Sequence, residues 1–122
     1  MNPEQIVRDF CDAVRRRDCK ALAGFFTEDA VYHNIPIDPV VGRDQIEATL
    51  VQFVGPSTEA AFDVLALAVS GRKVLTERVD RFVINGKRIE IPVMGTFEVE
   101  TDGRISAWRD YFDMAQFMKQ MG

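Results

Sequence analysis

Two short segments of the sequence carry an arrangement of charge that could do acid and base chemistry. In Lys73 to Ile84, strand alternation puts Thr76, Arg78, Asp80, Phe82 and Ile84 on one face and Glu77, Val79, Arg81 and Val83 on the other. The same alternation groups Ser106, Trp108, Asp110 and Phe112, with Asp110 between two large aromatics. In a third stretch Tyr32 and Asn34 share a face and His33 points away. If Arg78, Asp80, Asp110, Tyr32 and Asn34 meet in one apolar cavity, the two carboxylates cannot both ionise cheaply. One then holds a proton while the other has lost it. An arginine between them can hold both by charge-assisted hydrogen bonds, and a hydroxyl with an amide can fix a water against the basic carboxylate. The chemistry suggested is addition of water to an electrophile whose oxygen is protonated as its bond breaks. Taken alone, Arg78 and Asp80 read better as a structural ion pair, Tyr32 as a packing residue and Asn34 as a turn residue ahead of Pro36, and Trp108 suits packing; the wider constellation is what shifts the balance.

The elements that would position these groups follow from local signals. Asn2-Pro3-Glu4-Gln5 reads as a capped helix start, with Gln5 closing a capping box. The helix is expected to run to about Arg17 and to bury Ile6, Phe10, Ala13 and Val14, with Arg15 to Arg17 as a solvated end. Asp18 caps a second helix through Phe26, ended by Thr27-Glu28-Asp29. A short strand follows over 30–33, then a loop over 34–39 stiffened by Pro36 and Pro39. Gly42-Arg43-Asp44 opens a third helix with Ile46, Leu50 and Phe53 on one face, and Gly55-Pro56 closes it. From Ala60 to Phe112, β-branched and aromatic residues broken at Ser70-Gly71, Asn85-Gly86 and Asp102-Gly103 read as a meander of four strands. Asn-Gly predicts a type I′ hairpin. A last helix is expected over about 113–121.

These elements predict an α+β fold: a curved, mostly antiparallel sheet with the N-terminal helices on its concave face, enclosing a cone-shaped pocket suited to a small apolar ligand. With 122 residues, 47% hydrophobic, the chain is expected to form a single domain over 1–122. Fifteen Lys and Arg against 19 Asp and Glu, a formal charge of -4, argue against nucleic acid and anionic membrane as partners. Cys11 and Cys19, eight positions apart, and the single His33 fall short of a zinc ligand set and imply no disulfide framework. With no signal-peptide pattern and no long apolar run, a cytoplasmic location is expected.

Glu77-Arg78-Val79-Asp80, Ile91-Pro92-Val93-Met94-Gly95-Thr96-Phe97-Glu98-Val99, Trp108-Arg109-Asp110-Tyr111-Phe112-Asp113 and Tyr32-His33-Asn34-Ile35-Pro36 together resemble the limonene epoxide hydrolase family, within the cone-shaped NTF2-like, cystatin-like and SnoaL-like folds. The resemblance implies a cofactor-independent, one-step hydrolysis of a small or medium apolar epoxide to a vicinal diol, with neither cofactor nor metal. By it, Asp110 is the general base, with Tyr32 and Asn34 as co-holders of the water. Asp80 is the general acid, and Arg78 bridges the carboxylates. It also implies a homodimer joined through the outer sheet faces, where Val79, Val83 and Tyr111 lie. Trp108, Phe112, Met94, Leu50, Phe53, Phe117 and Met121 are candidates for the pocket wall. Relatives often carry an extension ahead of the first helix that helps close the pocket, whereas this sequence starts at the helix, so a more open site is expected. The alternatives are a SnoaL-like polyketide cyclase or ketosteroid-isomerase-like enzyme, which needs one base and an oxyanion holder, and a non-catalytic ligand-binding module, which needs no charged triad.

Overall fold

A computed structural model describes residues 2–122. Six strands form one sheet in the order β2-β1-β6-β5-β4-β3. They are β1 (Phe26–Asn34), β2 (Val40–Val41), β3 (Ser57–Ser70), β4 (Lys73–Ile84), β5 (Lys87–Val99) and β6 (Ile105–Tyr111). Only the β1 and β6 pairing is parallel, so the sheet is mixed and mostly antiparallel. Register shifts at Ser57/Glu59 and Val64/Ala66 in β3, and at Ser106 in β6 opposite Glu98/Val99, mark bulges, which bend strands. The Asn85-Gly86 turn has φ of 53° and 77°, the left-handed pair that a type I′ hairpin demands.

Four helices accompany the sheet: α1 (Pro3–Ala13), α2 (Cys19–Ala23), α3 (Arg43–Phe53) and α4 (Met114–Met121). Asn2 caps α1 by accepting from Gln5 N at 3.2 Å. The Gln5 side chain does not complete the capping box. It donates to Asp9 instead, one turn along the wet face. The buried side of α1 is Val7, Phe10, Cys11 and Ala13, with Val14 beyond it, whereas Ile6 is only partly buried. The stripe keeps Phe10 and is rotated so that Val7 and Cys11, not Ile6, flank it on the buried side. The helix ends early in a 3-10 turn over Val14–Arg16, and Arg17 takes a left-handed φ of 55°. Of the arginine run, Arg15 pairs with Asp63 at 2.7 Å and Arg17 donates to Ser57 O at 2.8 Å, so these two side chains tie the helix end to β3.

Two further boundaries depart from expectation. The second helix stops at Ala23, and Phe26 to Asp29 belong to β1, because Phe26 finds a partner in Ile105 on β6 and Phe25 O accepts from Ile105 N at 2.8 Å. A long-range ladder outcompetes the local helical pattern there. Val40 and Val41 form β2 by pairing with Val31 and Tyr32.

The helices cover the face that carries Val74, Thr76, Arg78, Asp80, Phe82 and Ile84, all buried. Phe10 is the hub of this interface, meeting Phe26, Phe97 and Trp108 edge-on with ring centroids 5.1–5.9 Å apart. Such edge-to-face contacts add about 1 kcal/mol each beyond burial and lock α1 over the middle of the sheet. No helix among the described residues is long and apolar enough to cross a membrane.

Candidate active site

The charged residues of the inner face lie along one sheet row. Thr76 on β4 pairs with Gly95 on β5, Gly95 with Asp110 on β6, and Asp110 with Asn34 on β1. Arg78 and Asp80 stand one and two inward positions further along β4, so the Arg78 side chain can lie back across Gly95. Its guanidinium uses most of its donors. Nε donates to Asp80 Oδ1 at 3.0 Å and Nη2 to Asp80 Oδ2 at 2.9 Å, a bidentate fork. The same Nη2 donates to Asp110 Oδ2 at 2.9 Å, and Nη1 to Thr76 Oγ1 at 3.0 Å. Thr76 in turn donates to Gly95 O at 3.0 Å. The Phe62 ring lies 4.8 Å from the guanidinium carbon, a cation–π contact.

Asp110 takes a second bond at its other oxygen, from Trp108 Nε1 at 2.7 Å. Trp108 is held by stacking on Tyr32, with centroids 3.9 Å apart and planes 8° from parallel. The Tyr32 hydroxyl donates to Asn34 Oδ1 at 3.2 Å. No buried side-chain nitrogen or oxygen among the described residues lacks a partner.

Burial decides the charge state. Arg78, Asp80 and Asp110 are 1%, 6% and 3% exposed, and two carboxylates around one guanidinium would leave a net negative charge out of water. Burial pushes the Asp80 carboxyl up to about 6, against the opposing pull of Arg78. Burial would pull Arg78 down, but Asp110 and Asp80 together hold it well above its ordinary value, so it stays charged. Burial also keeps the Tyr32 phenol well above its usual range and neutral. The arrangement thus offers a carboxyl group that holds its proton up to about pH 6, a second carboxyl group and a fixed cation in one water-poor site.

Asp80 and Asp110 open onto a cleft of about 230 Å³, with Tyr32 and Asn34 at its edge and Phe62, Phe82, Ile91 and Val93 as its floor. Phe53, Phe112 and Phe117, expected in the wall, line it. Four other expected wall residues lie elsewhere. Met94 is half exposed on the opposite face, because β5 turns Val93 and Gly95 inward. Leu50 has no accessible surface and packs in the core beneath α3. Trp108 is equally inaccessible, lying beneath Tyr32, and reaches the site only through its bond to Asp110. Met121 packs partly buried against the core, outside the cleft lining. His33 bonds Ile37 O at 2.9 Å, away from the site.

Three contributors were not anticipated: Thr76 and Phe62, which hold Arg78, and Gly95. A Cβ at Gly95 would overlap Arg78 Nη1 and Asp110 Oδ1. A glycine inside a strand pattern is the signal that could have flagged it, since it marks a close approach over the backbone.

The whole chain, residues 1–122, matches the family model for the limonene-1,2-epoxide hydrolase catalytic domain, and the chain belongs to that family. It is 33% identical over 113 residues to epoxide hydrolase EphG of Mycobacterium tuberculosis (strain ATCC 25618 / H37Rv), covering 93% of this chain and 74% of EphG. The fold superposes on the structure of an M. tuberculosis LEH-like epoxide hydrolase with a TM-score of 0.82 and 31% identity, over 95% of this chain and 86% of that one. It is also similar to a putative polyketide cyclase of Xanthomonas campestris pv. campestris, with a TM-score of 0.86 and 20% identity over 98% and 96% of the two chains, a likeness of fold alone. Family membership supports epoxide hydrolysis as the general chemistry.

Proposed function

We propose that the protein hydrolyses a small apolar epoxide to a vicinal diol in one step. The observation that carries this reading is the single Arg78 Nη2 bonded at 2.9 Å to both Asp80 and Asp110 at the cleft floor. Asp110 takes a proton from a water held by Tyr32 and Asn34, and the water oxygen attacks an oxirane carbon. As the carbon–oxygen bond breaks, Asp80 gives its proton to the leaving oxygen. Water is consumed whole, and the proton now on Asp110 returns to Asp80 through solvent in the cleft. Arg78 stays charged throughout and balances whichever carboxylate is ionised. The cleft of about 230 Å³, walled by Phe53, Phe62, Phe112 and Phe117, suits a compact apolar substrate.

An enzyme that abstracts a carbon-bound proton would need only one of these carboxyl groups, and a binding module would need none buried around an arginine. The test is a single turnover in ¹⁸O-labelled water. Direct attack puts solvent oxygen into the diol at once, whereas an ester intermediate would deliver a carboxylate oxygen first. Unlabelled diol in the first turnover would refute the mechanism.

We also propose a homodimer through the outer face, where Val79, Val83 and Tyr111 continue into the exposed Met94 and Leu75. Met94 and Tyr111 are cross-strand neighbours on that face. A reducing, cytoplasmic setting suits the two free thiols, Cys11 and Cys19.

A further inference from the structure

Strand β5 loses its β6 neighbour partway along. The two pair only from Met94 to Val99, and the next position whose backbone faces β6 is Pro92, which has no N–H to donate. Two residues further, Glu90 turns both its N–H and its C=O toward the open side. A side chain takes them both. Gln120 Oε1 accepts from Glu90 N at 2.7 Å, and Gln120 Nε2 donates to Glu90 O at 2.9 Å. A primary carboxamide carries the same donor and acceptor as a peptide group, so Gln120 stands where another strand would stand.

The clasp matters because of what α4 carries. That helix has no buried residue, and its main neighbour is β5. Its start is set by Asp113, which accepts from Gln116 N at 3.2 Å. Phe117, three residues before Gln120 and therefore beside it on the helix, lines the cleft, as does Met114 one turn earlier. Lys87 adds a flexible tether to Met121 O at 2.9 Å. The two-point Gln120 bond is the directional one and fixes the roll of the helix.

We propose that Gln120 is a positioning residue for substrate size: by clasping the bare edge of β5 it holds Phe117 in the cleft, so that small epoxides fit and bulky ones do not. This rests on the hydrolase reading, and the experiment separates the two. Wild type, Gln120→Ala, Phe117→Ala and the double variant are compared for kcat/KM on cyclohexene oxide and cyclododecene oxide, for affinity toward the matching cycloalkanols, and for hydrogen exchange at the Glu90 amide.

In Gln120→Ala the Glu90 amide is expected to lose protection, and the preference for the smaller ring to fall about tenfold in both turnover and binding. Adding Gln120→Ala to Phe117→Ala should change the preference less than about twofold, because one acts through the other. A Glu90 amide that stays protected, a size preference unchanged by Gln120→Ala, or fully additive effects would each overturn the proposal. If wild type forms no diol from either epoxide, the hydrolase reading fails, and the cycloalkanol affinities still decide the role of Gln120.

Discussion

The pH dependence of turnover tests the assignment of Asp80 as proton donor. Its carboxyl is pushed up to about 6 by burial, against the opposing pull of Arg78. A donor with that value is protonated in about half of the molecules at pH 6 and in about 1% at pH 8. kcat/KM should therefore fall about fiftyfold between pH 6 and 8, approaching tenfold per unit. Initial rates of diol formation at low substrate and constant ionic strength, with circular dichroism at each pH, measure this directly. A profile that is flat or rises over that interval refutes Asp80 as the donor.

Stability supplies a second reading of the same group. The folded value lies above the ordinary 3.8, so this contribution to stability is complete below pH about 4 and is lost as pH rises through about 6. Two units correspond to a loss on the order of 3 kcal/mol. Asp80→Asn cannot ionise, so its melting temperature should gain on wild type between pH 4 and 7 and then hold a constant difference. A difference independent of pH would show that Asp80 is not forced to carry charge in a dry site.

Gly95→Ala should reduce turnover at least a hundredfold and cost about 1–3 kcal/mol in urea unfolding, because the added methyl displaces Arg78 and Asp110; wild-type kinetics would mean that the guanidinium does not lie over the β5 backbone. Arg78→Leu leaves two buried carboxyl groups without their cation and should cost about 3–5 kcal/mol at neutral pH, most of it recovered in acid. A loss equal at pH 4 and pH 8 would count against that electrostatic account. The proposed dimer predicts that wild type sediments as a dimer and that Met94→Asp on the outer face sediments as a monomer. An unchanged sedimentation coefficient would place the interface elsewhere.

Much of the site is legible in the sequence because strand alternation is a local rule. Side chains two apart must share a face, so Arg78 with Asp80 and Trp108 with Asp110 could be grouped without knowing any neighbour. Turn chemistry is equally local: Asn85-Gly86 needs left-handed backbone, and the meander follows from three such punctuation points. Distance along the chain is what hides the rest. That β6 lies between β5 and β1 brings Asn34 to Asp110, and only the completed ladder shows it. The same ladder claims Phe26 from a helical pattern. Gly95 and Gln120 are visible as residues but have no meaning until Arg78 is laid over one and the bare edge of Glu90 stands beside the other. The sequence by itself determined which side chains share a face and what chemistry that grouping would suit. The tertiary structure decided which of them touch, because contacts between distant strands are chosen by the packing of the whole sheet and not by any local preference.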